Sequence, residues 1–221
     1  MKPVVAIIAH PDDETAMAGM LAKLSADRDV YIICVTNGDA GENHHEKKDD
    51  LLMLVREDEL RASAQLLGVK HVTFIGFADG SLSNNLYHKI ARKVQNKLEE
   101  IKPDTLITFE PRGITGHIDH IVVSMVTTYL FNHLPYIKTL MYACMSDKQR
   151  KVASTLPDYF IYFPPGYKKS EVNEVVNVKD YWDKKIQAIK SHLSQKNDVE
   201  NFILPVQEKA PKVEYFIVKK K

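Results

Sequence analysis

Two short runs concentrate the residue types that bind metals and move protons: Ala9-His10-Pro11-Asp12-Asp13-Glu14 and Gly116-His117-Ile118-Asp119-His120. Two histidines and one carboxylate form an open zinc site, because three protein ligands leave a position for water. A closed, cysteine-rich structural site is excluded, since the chain has only two cysteines, Cys34 and Cys144. Each run also has a plainer reading. Pro followed by Asp, Asp and Glu just ahead of TAMAGML is what a capped helix start looks like. Two histidines three apart at a helix start share one side and are commonly a surface or capping feature. Position favours chemistry, since each run follows an apolar, strand-like segment, where ligands of open parallel sheets bind.

Those segments belong to a regular alternation. VVAII precedes TAMAGMLAKL, VYIICV precedes DLLMLVREDELRASAQLLG, HVTFIGF precedes LYHKIARKVQNKLEEI, and DTLITF precedes HIDHIVVSMVTTYLF. β-Branched runs alternating with helix-patterned segments predict βαβ units and a mostly parallel sheet. The fold class read here is α/β, a Rossmann-like doubly wound sheet with helices on both faces, over roughly the first 145 residues. After Tyr142 the alternation weakens into PDYFIYFPPGY, a strand-like EVVNV, a helix-like YWDKKIQAIKSHLSQ and a final VEYFIV. No Gly/Ser-rich or charged linker sets these apart, so they read as a C-terminal elaboration of a single domain spanning 1–221.

Composition limits the partners. The formal net charge is +1 with 44% hydrophobic residues, a balance that argues against nucleic acid or an anionic membrane surface. MKPVVAIIAHPDDE breaks into charge too soon for a signal peptide or a membrane span. With two cysteines in or beside apolar runs, the expected location is the reducing cytoplasm.

The AHPDDE run followed far downstream by H-x-D-H resembles the PIG-L/LmbE family of zinc-dependent N-acetylglucosaminyl deacetylases, which includes bacterial enzymes of mycothiol and bacillithiol synthesis. The likeness continues in Thr36-Asn37-Gly38-Asp39-Ala40-Gly41 and in Arg56-Glu57 with Glu59, Ala62, Ala64, Leu67 and Gly68. It goes on through Phe77-Ala78-Asp79-Gly80-Ser81-Leu82, then Lys185, Ala188, His192, Ser194 and Gln195, and finally Glu214 with Phe216. Ordered matches at seven places cover nearly the whole chain. One departure is Ile118, where many members have proline; that position supplies no ligand.

The resemblance implies zinc, or another divalent transition metal such as iron, held by His10, Asp13 and His120. It implies Asp12 as the general base that takes a proton from the metal's water. His117 is expected as an imidazolium opposite, holding the tetrahedral intermediate or protonating the leaving amine, with Asp119 orienting it and raising its pKa. Arg56 and Asp79 resemble positions that bind sugar hydroxyls or the group attached to the sugar, although a surface salt bridge and an Asp-Gly turn also explain them. Asn37 and Asp39 are placed at the same mouth, and His192 either reaches the pocket or packs. Glu14 is read as a helix-start residue behind the site. His44, His45, His71, His88 and His133 have no partner pattern.

The implied substrate is a small N-acetylated sugar, and family members are often homo-oligomers. A deacylase for another N-acyl amine fits the same motifs. A nucleotide-binding module is a further reading of the alternation, but the first turn lacks G-x-G-x-x-G. A metal-binding homologue without catalysis is disfavoured because Asp12 and His117 accompany the ligands.

Overall fold

A computed structural model describes residues 1–41, 52–154 and 162–221; His44, His45 and most of PDYFIYF lie outside them. The strands are β1 (Val4–Ile8), β2 (Val30–Thr36), β3 (His71–Phe77), β4 (Thr105–Phe109), β5 (Thr139–Cys144), β6 (Glu174–Asn177) and β7 (Val213–Lys220). They form one sheet in the order β3-β2-β1-β4-β5-β7-β6. The first five run parallel; β7 is antiparallel to β5 and to β6. Every residue of β1 and β4 is buried, which explains why VVAII is continuously apolar and why TLITF adds only the β-branched Thr105 and Thr108 to its apolar residues.

The helices are α1 (Ala18–Ser25), α2 (Leu52–Leu67), α3 (Tyr87–Ile101), the single turn α4 (Gly113–Gly116), α5 (Ile118–His133), α6 (Asp147–Ala153) and α7 (Trp182–Lys190). α1, α2 and α7 pack on one another, and α3 packs on α5, the two helical layers expected of a doubly wound sheet. α3 shows why: Ile90, Val94 and Leu98 repeat every four residues and are its buried stripe. None of the described helices is long and apolar enough to cross a membrane.

The chain steps outward from β1 to β3 and returns to β4 on the other side of β1. Val4 accordingly pairs with Val30 on one edge and with Thr105 on the other. The crevice at this reversal opens beyond Ile8 and Phe109, the ends of β1 and β4, where both polar runs lie.

Three elements differ from expectation. The first helix opens with a 3-10 turn, Asp13–Met17, ahead of α1. β5 belongs to the parallel part of the sheet although it escaped the alternation. Beyond α7 the chain forms short turns: α8 (Lys196–Asp198), a π turn Val199–Ile203 and α9 (Leu204–Lys209). The C-terminal elaboration extends the same sheet through β7 and β6. A buried ion pair fixes that junction: Lys185 Nζ lies 2.7 Å from Glu214 Oε1, and the Glu214 carboxylate accepts the free N–H groups of Gly19 and Met20 at 2.8 and 2.7 Å. β7 thereby caps α1.

Candidate active site

The turn after β1 is strained. Asp12 has φ 119° and ψ −20°, a left-handed conformation that costs on the order of 1–3 kcal/mol and persists where the surroundings enforce it. Arg56 and Glu14 enforce it here. The Glu14 carboxylate accepts the Asp12 N–H at 3.2 Å. Arg56 Nη2 donates to the Pro11 carbonyl at 2.9 Å and to Asp12 Oδ2 at 3.1 Å. The capping explanation for Asp12 fails, because its side chain accepts no helix N–H. Capping is real one motif later: His117 precedes α5, and its Nδ1 accepts the Asp119 N–H at 3.2 Å.

Three electron-pair donors meet beneath the crevice. His10 Nδ1 lies 3.2 Å from His120 Nε2 and 3.4 Å from Asp13 Oδ2, and His120 Nε2 lies 3.0 Å from Asp13 Oδ1. Ligands held tetrahedrally about 2.0–2.1 Å from a zinc ion stand roughly 3.3 Å apart, so this trio has the spacing of three metal ligands. The outer nitrogens fix which lone pairs face inward. His120 Nδ1 donates to the Gly113 carbonyl at 3.0 Å, and His10 Nε2 donates to Asp79 Oδ1 at 3.0 Å and Asp119 Oδ2 at 3.2 Å. Such outer contacts orient ligating histidines and raise their basicity. Burial disfavours charge on His10, but the Asp13, Asp119 and Asp79 carboxylates outweigh it and hold its pKa well above the ordinary value. Asp13 goes the other way: burial raises its pKa, yet His120 and His10 pull it well below the usual carboxylate range. The cluster therefore requires a positive charge at this point, which a proton or a divalent ion can supply.

Among the described residues, ligand atoms also lie within 4.8 Å of one another in His10 with His117 and His120, and in His10 with Asp79 and Asp119. In the trio of His10, Asp13 and His120 the two imidazoles face different oxygens of Asp13, at 3.4 and 3.0 Å. The Asp79 and Asp119 pair already serves His10 Nε2, and His117 Nδ1 is taken by backbone.

The geometry changes the part expected of Asp119 and His117. The Asp119 carboxylate does not orient His117; it accepts Gly80 N–H and Leu82 N–H at 2.9 and 3.1 Å and supports His10. His117 Nδ1 must keep its lone pair toward the Asp119 N–H, which specifies a neutral ring carrying hydrogen on Nε2. Burial and the nearby His10 and His120 lower the His117 pKa, against the smaller pull of Asp119 and Asp13. Both observations oppose an imidazolium. His117 keeps a donor toward the cavity, its ring centroid 4.7 Å from that of His10.

A cavity of about 450 Å³ covers the cluster, lined by His10, Asp12, Asp13, His117, His120, Arg56 and Asp79 together with Gln195, Phe202 and Ile203. Arg56 is not a surface salt-bridge residue. It is buried, and its Nη1 also donates to the Gly38 carbonyl at 2.8 Å and Asp79 Oδ2 at 3.2 Å. Gly38 has φ +70°, and a Cβ there would come within 2.7 Å of the guanidinium. Asn37 and Asp39 do not line the cavity. Asn37 Nδ2 donates to Met53 sulfur at 3.0 Å, and Asp39 Oδ1 accepts the Asp79 N–H at 2.7 Å, so Asp39 positions the Asp79 loop from outside. His192 does not reach the cavity either. It is 1% exposed, and its Nε2 bonds Glu14 Oε1 at 2.7 Å, where Ser63 Oγ also donates at 2.5 Å.

Sequence reasoning missed Glu110, which is buried at the end of β4. Its carboxylate accepts from Arg112 N–H, Ile114 N–H and Tyr167 Oη at 2.7, 2.9 and 2.7 Å, and so fixes the Gly113 carbonyl that holds His120. A buried acid directly after an apolar strand was the available signal. The apolar side of the cavity, residues 202–206, carried none.

Residues 5–131 match the family model described as "PIG-L: GlcNAc-PI de-N-acetylase". The chain belongs to the PIG-L family. A Bacillus anthracis protein named "Probable N-acetyl-alpha-D-glucosaminyl L-malate deacetylase 2" is 27% identical over 197 residues, 87% of this chain and 80% of that one. Among solved structures, N,N'-diacetylchitobiose deacetylase from Pyrococcus horikoshii superposes with TM-score 0.73 at 24% identity, over 99% of this chain and 84% of that one. GalB, the 4-carboxy-2-hydroxymuconate hydratase of Pseudomonas putida, superposes with TM-score 0.67 at 15% identity, over 99% and 95%. Both likenesses establish the fold alone, and the second shows that PIG-L architecture also carries a hydratase, so the reaction must be argued from the site.

Proposed function

We propose that this PIG-L member is a metal-dependent hydrolase that removes the acetyl group from an N-acetylglucosamine-type sugar or its conjugate. The observation that carries the reading is the convergence of His10 Nδ1, His120 Nε2 and Asp13 at 3.0–3.4 Å, with Asp12 on a strained turn beside them. His10, Asp13 and His120 would hold the metal, zinc being the default for two imidazoles and a carboxylate with one side open. A bound divalent ion would polarise the amide carbonyl and bring the pKa of its water to about 7.

The chain's own groups supply the rest. Asp12, held by Arg56 and facing the cavity, is the acceptor for the water proton. His117, neutral and donating through Nε2, stabilises the oxyanion that develops on the carbonyl. Asp119 and Asp79 act through His10, turning its Nδ1 lone pair toward Asp13 and His120, where the metal would be held. Arg56 keeps Asp12 and Asp79 apart and in place. The single seven-stranded sheet supports reading residues 1–221 as one domain.

Nucleotide binding is a poor alternative. A pyrophosphate needs bare backbone N–H groups at the first turn, and here Asp13 Oδ2 occupies those of Ala9 and His10 at 3.1 and 2.6 Å. The test is release of free amine from a panel of N-acetylglucosamine conjugates and other N-acyl amines, with zinc, with iron and after chelation. Metal-dependent release from the sugars is expected. Release only from non-sugar amides would move the substrate class, and none from any amide would overturn the proposal.

A further inference from the structure

The cavity is two-sided. At about 450 Å³ it falls in the roughly 300–1,000 Å³ range of small-molecule sites, with room beyond an acetylated amino sugar. Its floor is the His/Asp cluster. Away from that cluster the lining forms a largely apolar wall of Ile114, Met145, Phe202, Ile203 and Val206, with the polar Gln195, Asp198 and Gln207 among them, and Phe202 rests against Phe163 with ring centroids 5.9 Å apart.

Among the described residues, the apolar wall itself carries no cation. Asp12, Asp13, Asp79 and Asp198 are carboxylates, and the one arginine, Arg56, is already committed to the Pro11 and Gly38 carbonyls and to Asp12 and Asp79. A carboxylate or phosphate brought against this wall would lose water without gaining a cation there. An alkyl or aryl group would gain from the same burial.

The backbone behind the wall is also unusual. Phe202 and Ile203 end the π turn Val199–Ile203, and Val206 follows on α9. π turns are rare, interrupt the regular helical register and concentrate at functional sites. Here the wider turn presents the consecutive residues Phe202 and Ile203 to the cavity together.

We infer that this wall selects the group carried by the acetylated sugar, and that this group is apolar, alkyl or aryl, and not an acid. The inference rests on the deacetylase reading above. It contrasts with the malate conjugate in the name of the Bacillus anthracis relative.

The test uses zinc-loaded protein and three substrates: free N-acetylglucosamine, its octyl glycoside and its malyl glycoside. The octyl glycoside should exceed the malyl glycoside in kcat/KM by about 10- to 200-fold, the range hydrophobic pockets give for small apolar differences. Phe202→Ser should reduce the octyl-to-free-sugar ratio about tenfold, and Phe202→Leu should restore most of it. Equal or better turnover of the malyl glycoside, or a ratio indifferent to Phe202→Ser, would overturn the inference. Should no glycoside release amine, the deacetylase reading fails by itself, and calorimetric titration of the two glycosides decides the wall. Tighter octyl binding then sustains it; equal or tighter malyl binding, or no binding of either, refutes it.

Discussion

Replacing Asp12 with Asn separates what this carboxylate does in the reaction from what it costs the fold. Burial pushes its pKa up, Arg56 pulls it down, Asp13 pushes it up again, and it settles at about 6 against an ordinary 3.8. Two pH units at about 1.4 kcal/mol each make ionising this side chain about 3 kcal/mol costlier in the folded protein than in the unfolded chain. An acid whose folded pKa exceeds its unfolded one weakens the fold above the folded pKa, here about 6. It has no effect below the unfolded pKa, where both states are protonated. Asn is a neutral isostere that tolerates a left-handed backbone nearly as well as Asp. Allowing for the lost charge on the Arg56 bond, metal-free Asp12→Asn should be about 1–3 kcal/mol more stable than the parent at pH 7.5. For a chain of this size the melting temperature rises roughly 2–10 °C, and the difference should close near pH 4. Turnover of the zinc-loaded variant should fall about 10²- to 10⁴-fold with metal content unchanged. Calorimetric melting across pH and an amine-release assay on the same preparation measure both. A variant that is less stable at neutral pH, or that keeps its metal and near-parental turnover, would refute the reasoning.

Other substitutions probe the rest of the site. His120→Ala leaves two protein ligands and should lose most bound zinc, measured by elemental analysis after desalting; retained zinc would discredit the ligand trio. His117→Ala should lower kcat about 10²- to 10³-fold while both limbs of the pH–rate profile stay in place, because a neutral donor has no proton to lose in this range; disappearance of the basic limb would restore the imidazolium. Asp119→Asn should weaken zinc affinity about 10- to 100-fold through His10, which competition with a chromogenic chelator reads, and an unchanged affinity would remove Asp119 from the metal's support. His192→Ala breaks a fully buried pair with Glu14 and should destabilise the fold by about 3–5 kcal/mol in denaturant melts. A cost below about 1 kcal/mol, typical of an exposed pair, would contradict the burial.

The parallel sheet was legible because buried parallel strands are rich in β-branched and apolar residues: VVAII and TLITF lie wholly inside the protein. β5 escaped because only the short α6 follows it, with seven residues and no long helix pattern. In the site, residue types were readable and directions were not. Which way the Asp119 carboxylate turns depends on the Gly80 and Leu82 N–H groups, and the His117 tautomer depends on the Asp119 N–H. No side-chain identity signals either one. His192 stood out as polar within a helical pattern, yet its destination depended on Glu14, 178 positions away. The wall residues Phe202, Ile203 and Val206 look like any apolar run until the cavity places them.

The matched family segment ends at residue 131, but the forces on the turn after β1 do not. Glu14 fixes the Asp12 N–H with one oxygen and needs His192 for the other. Without that partner a fully buried carboxylate would have only neutral donors, Ser63 and the Asp12 N–H, and such a group moves, binds a proton or admits water. α1 starts from N–H groups whose acceptor is Glu214 on the antiparallel strand β7, and Glu214 in turn is neutralised by Lys185 on α7. The left-handed Asp12 is thus held by Arg56 from α2 and, through Glu14, by His192 just beyond α7, while β7 fixes the start of α1 behind it. The C-terminal elaboration therefore does more than extend the sheet. It supplies His192 as the partner of Glu14, while Arg56 on α2 balances Asp12 and the imidazoles of His10 and His120 balance Asp13, so that three consecutive acids share one turn.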